Sequence, residues 1–294
     1  MKTLIKGKVG KVMKTSFSAA IKLIVLLEAS LFLGCASAPK KEDVSMEEFK
    51  INNEAIENHL IFGTLFKPSG QGKFPAIIFS HGYNGVGADF FEDCSFFAKN
   101  GFVAYCYDFC GGSMRSRSKG RTVDMTLLTE KSDLIAVVDA ISNLDCVDES
   151  QIFLLGGSQG GLVTALAIEE IGEKIKGVSL YYPAFCIPDD WRKNFPDKNN
   201  IPKMQNFWGM NLGRNFFETA IEMDVNELTG KYAGPVLIVH GSADDIVPLR
   251  YAEEAQKRYP NARLEVLPGE RHGFSPVGAQ TARNLVLEHV KSLL

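Results

Sequence analysis

The chain has 294 residues, 45% hydrophobic and 23% charged, with a formal net charge of −3. That length and apolar content suffice for a large buried core in one or two domains. With no repeat of fixed period, no long low-complexity tract and no block of like charge in its body, the sequence argues against repeat arrays, disorder and a nucleic-acid groove.

In chain order, the first segment reads as an export signal. Six lysines (Lys2, Lys6, Lys8, Lys11, Lys14, Lys22) precede the apolar Leu23–Leu27 and Leu31-Phe32-Leu33. A basic head, an apolar middle and a small residue at the boundary mark such signals, and the run falls short of the roughly 20 apolar residues of a membrane span. Leu33-Gly34-Cys35 resembles the lipobox of bacterial lipoproteins. The resemblance implies removal of residues 1–34, lipidation of Cys35, a linker over 35–45 and membrane anchorage in an extracytoplasmic space. Cleavage after Ala36-Ser37-Ala38 with a secreted or periplasmic product, an uncleaved amphipathic helix, and a start at Met13 stay open as alternatives. Loss of residues 1–34 removes six lysines and Glu28, moving the formal charge from −3 to −8, which makes nucleic acid an unsuitable partner. Of the six cysteines, Cys94, Cys106, Cys110, Cys146 and Cys186 remain beside Cys35. Five is an odd count with no CxxC pair for zinc, so buried free thiols are expected. Cys106 and Cys110 can pair only if the turn between them brings them together.

From residue 46 the pattern alternates. Extended segments at Glu48–Asn53 and His59–Phe66 suggest a leading antiparallel pair. Apolar runs follow at Ala76–Ser80, Phe102–Tyr107, Gln151–Gly156, Gly177–Tyr182, Pro235–His240 and Ala262–Leu267. Between and after them, helical patterns fill Phe90–Asn100, Leu127–Asn143, Gly160–Ile171, Leu249–Tyr259 and Ala279–Leu294. Runs such as Ala76-Ile77-Ile78-Phe79 predict strands buried on both faces, hence a mostly parallel, doubly wound α/β sheet. Ligands of such sheets bind beyond the carboxyl ends of the strands. The connection from Tyr182 to Pro235, about 50 residues rich in aromatics, predicts a lid insert over about 184–232 that roofs this edge.

Gln151–Leu155 runs into Gly156-Gly157-Ser158-Gln159-Gly160 and then into a helix. A G-x-S-x-G between strand and helix is a nucleophile elbow, raising the Ser158 hydroxyl above the sheet. No lysine follows, as a phosphate-binding loop requires. A serine hydroxyl needs a base. Among the five histidines, His59 and His289 are expected away from the catalytic edge, whereas His272 follows the final strand. Its orienting carboxylate is Asp244 or Asp245, in the loop after Val236–Val239, and the order Ser…Asp…His is that of an α/β-hydrolase. The oxyanion donors are expected to be the peptide N–H groups of Gln159 and Tyr83, with His81-Gly82 shaping the loop.

These pieces together resemble the α/β-hydrolase superfamily over nearly all of residues 46–294: His81-Gly82-Tyr83, Gly156–Gly160, Gly241–Pro248 and His272-Gly273-Phe274. The third is similar to the family's H-G-x-x-D-x-x-V-P pattern, which selects Asp244. Tyr107-Asp108-Phe109, Gly111-Gly112-Ser113 and the insert's position most resemble bacterial cinnamoyl (feruloyl) esterases and related carboxylesterases. Those carry D-F-x-G-H-G-x-S where this chain has Asp108-Phe109-Cys110-Gly111-Gly112-Ser113, without the histidine. The resemblance implies a Ser158–His272–Asp244 carboxylesterase of small, aromatic-acyl esters, working through an acyl-enzyme with no metal or organic cofactor. Trp191 and Trp208 are candidates to stack on a flat acyl group, or to form the lid's own core. A peptidase or amidase, with Asp189-Asp190 as an amine subsite, and an acyltransferase use the same triad; a non-catalytic binding lipoprotein does not need one.

Overall fold

A computed structural model describes residues 44–294. The export-type segment, Cys35 and the linker up to residue 43 lie outside the described residues. The chain opens with β1 (Ser45–Asn52) and β2 (Leu60–Lys67), antiparallel from Ser45 against Lys67 to Asn52 against Leu60. β3 (Phe74–Ser80), α1 (Phe91–Lys99), β4 (Val103–Tyr107), α2 (Leu127–Ser142), β5 (Val147–Gly157), α3 (Gln159–Ile171) and β6 (Gly177–Tyr181) follow. The long connection then carries α4 (Ile187–Asn194), the hairpin β7 (Met204–Phe207) and β8 (Met210–Gly213), α5 (Arg214–Glu222) and α6 (Val225–Leu228). β9 (Val236–Gly241), α7 (Arg250–Arg258), β10 (Ala262–Leu267) and α8 (Pro276–Lys291) complete the alternation.

Among the described residues, one sheet of eight strands runs β1-β2-β4-β3-β5-β6-β9-β10. β2 meets β4 antiparallel, and every pair from β4 to β10 is parallel. Burial on both faces explains the unbroken apolar runs. Ile78, Leu154, Leu180 and Ile238 point to the side covered by α2, α3 and α7. Their neighbours Ile77, Phe79, Phe153, Leu155, Leu237 and Val239 point to the side covered by α1 and α8. Each such side chain contributes roughly 1.5–3 kcal/mol when fully buried, so two filled faces hold the strand ends rigidly. The edge strands carry charge instead: Arg263 pairs with Glu265 on β10, and β1 exposes Glu47 and Glu48.

Cys106 packs on the α1/α8 side and Cys110 on the α2/α3 side, so the two thiols do not meet, and all five described cysteines are free. No helix among the described residues is long and apolar enough to cross a membrane.

Candidate active site

The elbow begins where β5 ends. Ser158 takes φ 53° and ψ −121° and hands the chain directly to α3. That close approach leaves no room for side chains on either flank. A Cβ on Gly156 would lie 2.3 Å from the Gly160 carbonyl oxygen, and one on Gly160 would lie 2.3 Å from that of Ser80. Ser158 Oγ stands 2.9 Å from His272 Nε2, and His272 Nδ1 stands 2.8 Å from Asp244 Oδ2. Asp244 Oδ1 accepts from the N–H groups of Ile246 (2.9 Å) and Val247 (2.8 Å). Burial opposes the charge on Asp244, but the hydrogen bonds from His272, Val247 and Ile246 outweigh it and hold the carboxyl below its usual range. An ionised Asp244 requires the proton on Nδ1, which leaves the Nε2 lone pair to accept from Ser158. Asp245 is instead exposed, paired with Arg271, and lines the pocket over Ser158.

Two groups that local sequence patterns do not flag support this chain. The Tyr182 ring packs against the His272 imidazole with centroids 4.6 Å apart, from a backbone at φ 35°. His240, buried at the end of β9, donates from Nε2 to the Val247 carbonyl (2.9 Å), with Asp244 Oδ2 3.4 Å away. Burial lowers the His240 pKa, so this histidine stays neutral beside the carboxylate.

The loop after β3 lies against Ser158: a Cβ on Gly82 would come within 3.0 Å of Ser158 Cβ. Among the described residues, no protein acceptor takes the peptide N–H of Tyr83 or of Gln159. His81 is buried beneath the loop. Its Nε2 accepts from Phe109 N–H (3.0 Å), so its Nδ1 carries the proton it donates to the Gly82 carbonyl (2.7 Å).

A pocket of about 380 Å³ opens over Ser158. Its aromatic wall is Tyr83, Trp191, Phe207, Trp208 and Phe216, with Asp190, Lys193 and Asn194 also lining it. Trp191 is only 5% exposed and forms the centre of the insert, within 4.6 Å of Phe217 and 5.0 Å of Phe207 between ring centroids. Trp208 is 61% exposed at the hairpin tip and stacks on Phe207 (4.5 Å). The hairpin is pinned over the pocket by Tyr83, whose hydroxyl donates to the Phe207 carbonyl (2.7 Å). Of the acidic pair on α4, Asp189 is taken up by Arg192 (2.9 Å) and the Tyr251 hydroxyl (2.8 Å), while Asp190 lies 3.8 Å from Lys193 Nζ. A larger groove of about 670 Å³ runs beside α2 but holds none of these groups, so chemistry rather than size selects the smaller pocket.

His59 corrects an expectation. Because β2 runs antiparallel to β4, its start lies at the carboxyl edge rather than away from it. It stands three strands from β5 in the sheet order and is engaged by Asp133 Oδ1 (2.9 Å). His59, Asp133 and Cys110 bring potential metal-ligand atoms within 4.8 Å of one another. Hydrogen bonding accounts for that cluster, since Asp133 also accepts from Asn53 Nδ2 and from Cys110 N–H, both at 2.8 Å.

Comparison with known proteins agrees with the fold. The prolyl oligopeptidase family (Peptidase_S9) matches residues 88–291. A structure of Est1E from Butyrivibrio proteoclasticus with ferulic acid bound is similar at 28% identity and a TM-score of 0.72, covering 83% of this chain and 99% of that one. The α/β-hydrolase GrgF from Penicillium sp. sh18 shares the fold at 18% identity and a TM-score of 0.70, over 85% of this chain and 98% of that one. RutD of Caulobacter sp. (strain K31) is 26% identical over 117 residues, 38% of this chain and 44% of that protein. The chain spans less than half the length of the curated relatives it matches.

Proposed function

Because this chain belongs to the prolyl oligopeptidase family and is a serine hydrolase of the α/β-hydrolase fold, we propose that it is a carboxylesterase of small, flat aromatic-acyl esters, with Ser158 as nucleophile, His272 as base and Asp244 as the residue that orients the base. The carrying observation is the unbroken hydrogen-bond chain Ser158–His272–Asp244, whose Ser158 opens into an aromatic-walled pocket.

In the proposed reaction, Ser158 Oγ attacks the ester carbonyl as its proton passes to His272 Nε2. Asp244 stays ionised and stabilises the imidazolium. The oxyanion is met by the peptide N–H groups of Tyr83 and Gln159, each worth roughly 10²–10³ in kcat. His272 returns the proton to the leaving alkoxide, the alcohol departs, and the acyl group remains on Ser158. Water then attacks that ester, giving its proton to His272, and the acid leaves as Ser158 recovers its hydrogen. The aromatic wall supports a flat acyl group, as does the likeness to a protein that binds ferulic acid.

A peptidase reading is favoured by the family's own name and by Asp190 in the pocket lining. It is weakened by the partners already held by Asp189 and Asp190. Turnover of short p-nitrophenyl esters, methyl ferulate and an aminoacyl p-nitroanilide, beside Ser158→Ala, separates the two. Ester turnover absent from the variant, with methyl ferulate preferred, is the expected result. Anilide cleavage without ester turnover overturns the esterase reading in favour of a peptidase. The export-type segment belongs to the same proposal and puts the enzyme on an extracytoplasmic membrane surface. Labelled palmitate incorporated by the wild type but not by Cys35→Ala is the expected result there.

A further inference from the structure

Beside the loop that carries Tyr83 lies a second carboxyl group for which the triad has no use. Glu130 stands in the first turn of α2 with its side chain buried, and its Oε2 accepts a 2.8 Å hydrogen bond from the Gln159 side-chain amide. Gln159 is buried as well, and it carries the peptide N–H that follows the nucleophile. Room for this contact depends on Gly112. A Cβ there would come within 2.9 Å of Glu130 Oε1 and 3.3 Å of the His81 ring.

We propose that Glu130 is a positioning residue for the oxyanion hole, acting through the Gln159 side chain to fix the peptide N–H that follows Ser158. This rests on the roles given above to Ser158 and Gln159. The elbow does not hold its shape unaided: non-glycine residues keep such positive φ values only where their surroundings over-determine them. From the β6 side, Ser158 N–H donates to the Tyr181 carbonyl, and Ala184 N–H donates to that of Ser158. Glu130 supplies a hold from α2, 29 positions earlier in the chain. Its loss frees the Gln159 side chain and loosens the donor without touching the triad.

Charge adds a second consequence. Facing Glu130 are Asp133 on its own helix, Tyr107 on β4, Tyr83 and His81 on the loop after β3, and the uncharged Gln159 on α3. None of these is a cation, since burial holds His81 neutral. Burial pushes the Glu130 carboxyl up to about 8. Below that pH the group is neutral. Above it, a negative charge appears behind donors that must face a developing oxyanion, and turnover falls.

The test measures kcat and KM for a short p-nitrophenyl ester across neutral and alkaline pH, in the wild type, Glu130→Ala and Glu130→Gln, with Ser158→Ala as the blank. Glu130→Ala is expected to lower kcat about tenfold while KM changes less than about threefold, because a loosened donor weakens transition-state rather than ground-state contacts. Glu130→Gln keeps an acceptor for Gln159 and has no charge to gain. It is expected to restore most of kcat and to lose the alkaline fall. The proposal is overturned if Glu130→Gln keeps the wild-type alkaline fall, or if Glu130→Ala turns over like the wild type. Should Glu130→Ala fail to fold, the Glu130→Gln profile decides alone. A wild type whose turnover survives in Ser158→Ala overturns the nucleophile assignment, and this proposal with it, by a separate readout.

Discussion

Asp244 is held ionised by three hydrogen bonds, and the proton it shares with His272 consequently stays on Nδ1. Asparagine there presents an amide that also stabilises the wrong tautomer, so Asp244→Asn is expected to lower kcat roughly 10³–10⁴-fold. Asp245→Asn changes an exposed pair with Arg271 at the pocket lining without touching His272 and is expected to keep kcat within about threefold, as surface pairs contribute little. A kcat series on both variants checks this, and the reverse order sinks the assignment. Glu130 makes a prediction about stability as well. Its folded pKa of about 8 lies above the ordinary value of 4.5, so the unfolded chain ionises first. The favourable state of this group is fully present in acid and is lost as pH rises from the unfolded value through about 8. Glu130→Gln is therefore expected to melt above the wild type at alkaline pH, with the gap closing in acid. Equal gaps at both pH values count against a buried, raised carboxyl. Ser158, Asp244 and His272 are legible in the sequence because each sits inside a local pattern with a known strand or loop context. Glu130 and Tyr182 are not. Their partners lie across the fold, and nothing in their immediate neighbours announces the contact.

The strands were legible because double-sided burial makes each one a short apolar run, as in Ala76–Ser80 and Val236–Val239. What that pattern does not carry is direction, and so the start of β2 falls at the carboxyl edge with His59 on it. The insert was legible only as a length of aromatic-rich chain. Its two strands have four residues each, too few for a period to show. Between them, Trp208 and Gly209 both take positive φ, 43° and 84°, as the central pair of a tight hairpin. Asn-Gly is the favoured pair at such a turn, because a bulky side chain is strained there. Trp208 accepts that strain at the rim of the pocket, where its ring extends the aromatic wall. Trp208→Asn is accordingly expected to stabilise the protein by about 1 kcal/mol in thermal or denaturant unfolding. The same change is expected to lower kcat/KM for methyl ferulate about fivefold relative to an acetate ester, the worth of one aromatic contact. Stability gained without that selective loss removes Trp208 from the substrate's path.

Residues of the sheet loops and of the insert line the pocket together, and Tyr83 joins them with both ends of one residue. Its peptide N–H belongs to the loop packed on Ser158, while its hydroxyl holds the Phe207 carbonyl in the hairpin. The ring between them makes edge contacts with Phe207 at 5.5 Å and Trp208 at 6.2 Å. The position of the insert and that of the proposed oxyanion donor are thus coupled through a single side chain. Tyr83→Phe cuts that coupling without removing the peptide N–H. One net hydrogen bond of about 0.5–1.5 kcal/mol is lost, enough to shift the insert toward open states while its own core around Trp191 stays packed. Backbone amides of Met204–Gly213 are expected to exchange with solvent faster, while those of α4 are unchanged. KM for the aromatic ester is expected to rise about threefold to tenfold, in line with that energy, and kcat to fall less than about threefold, because the hole keeps both donors. If kcat drops as far as an oxyanion deletion demands, roughly 10²-fold or more, the hydroxyl is acting on the reacting carbonyl rather than on the lid.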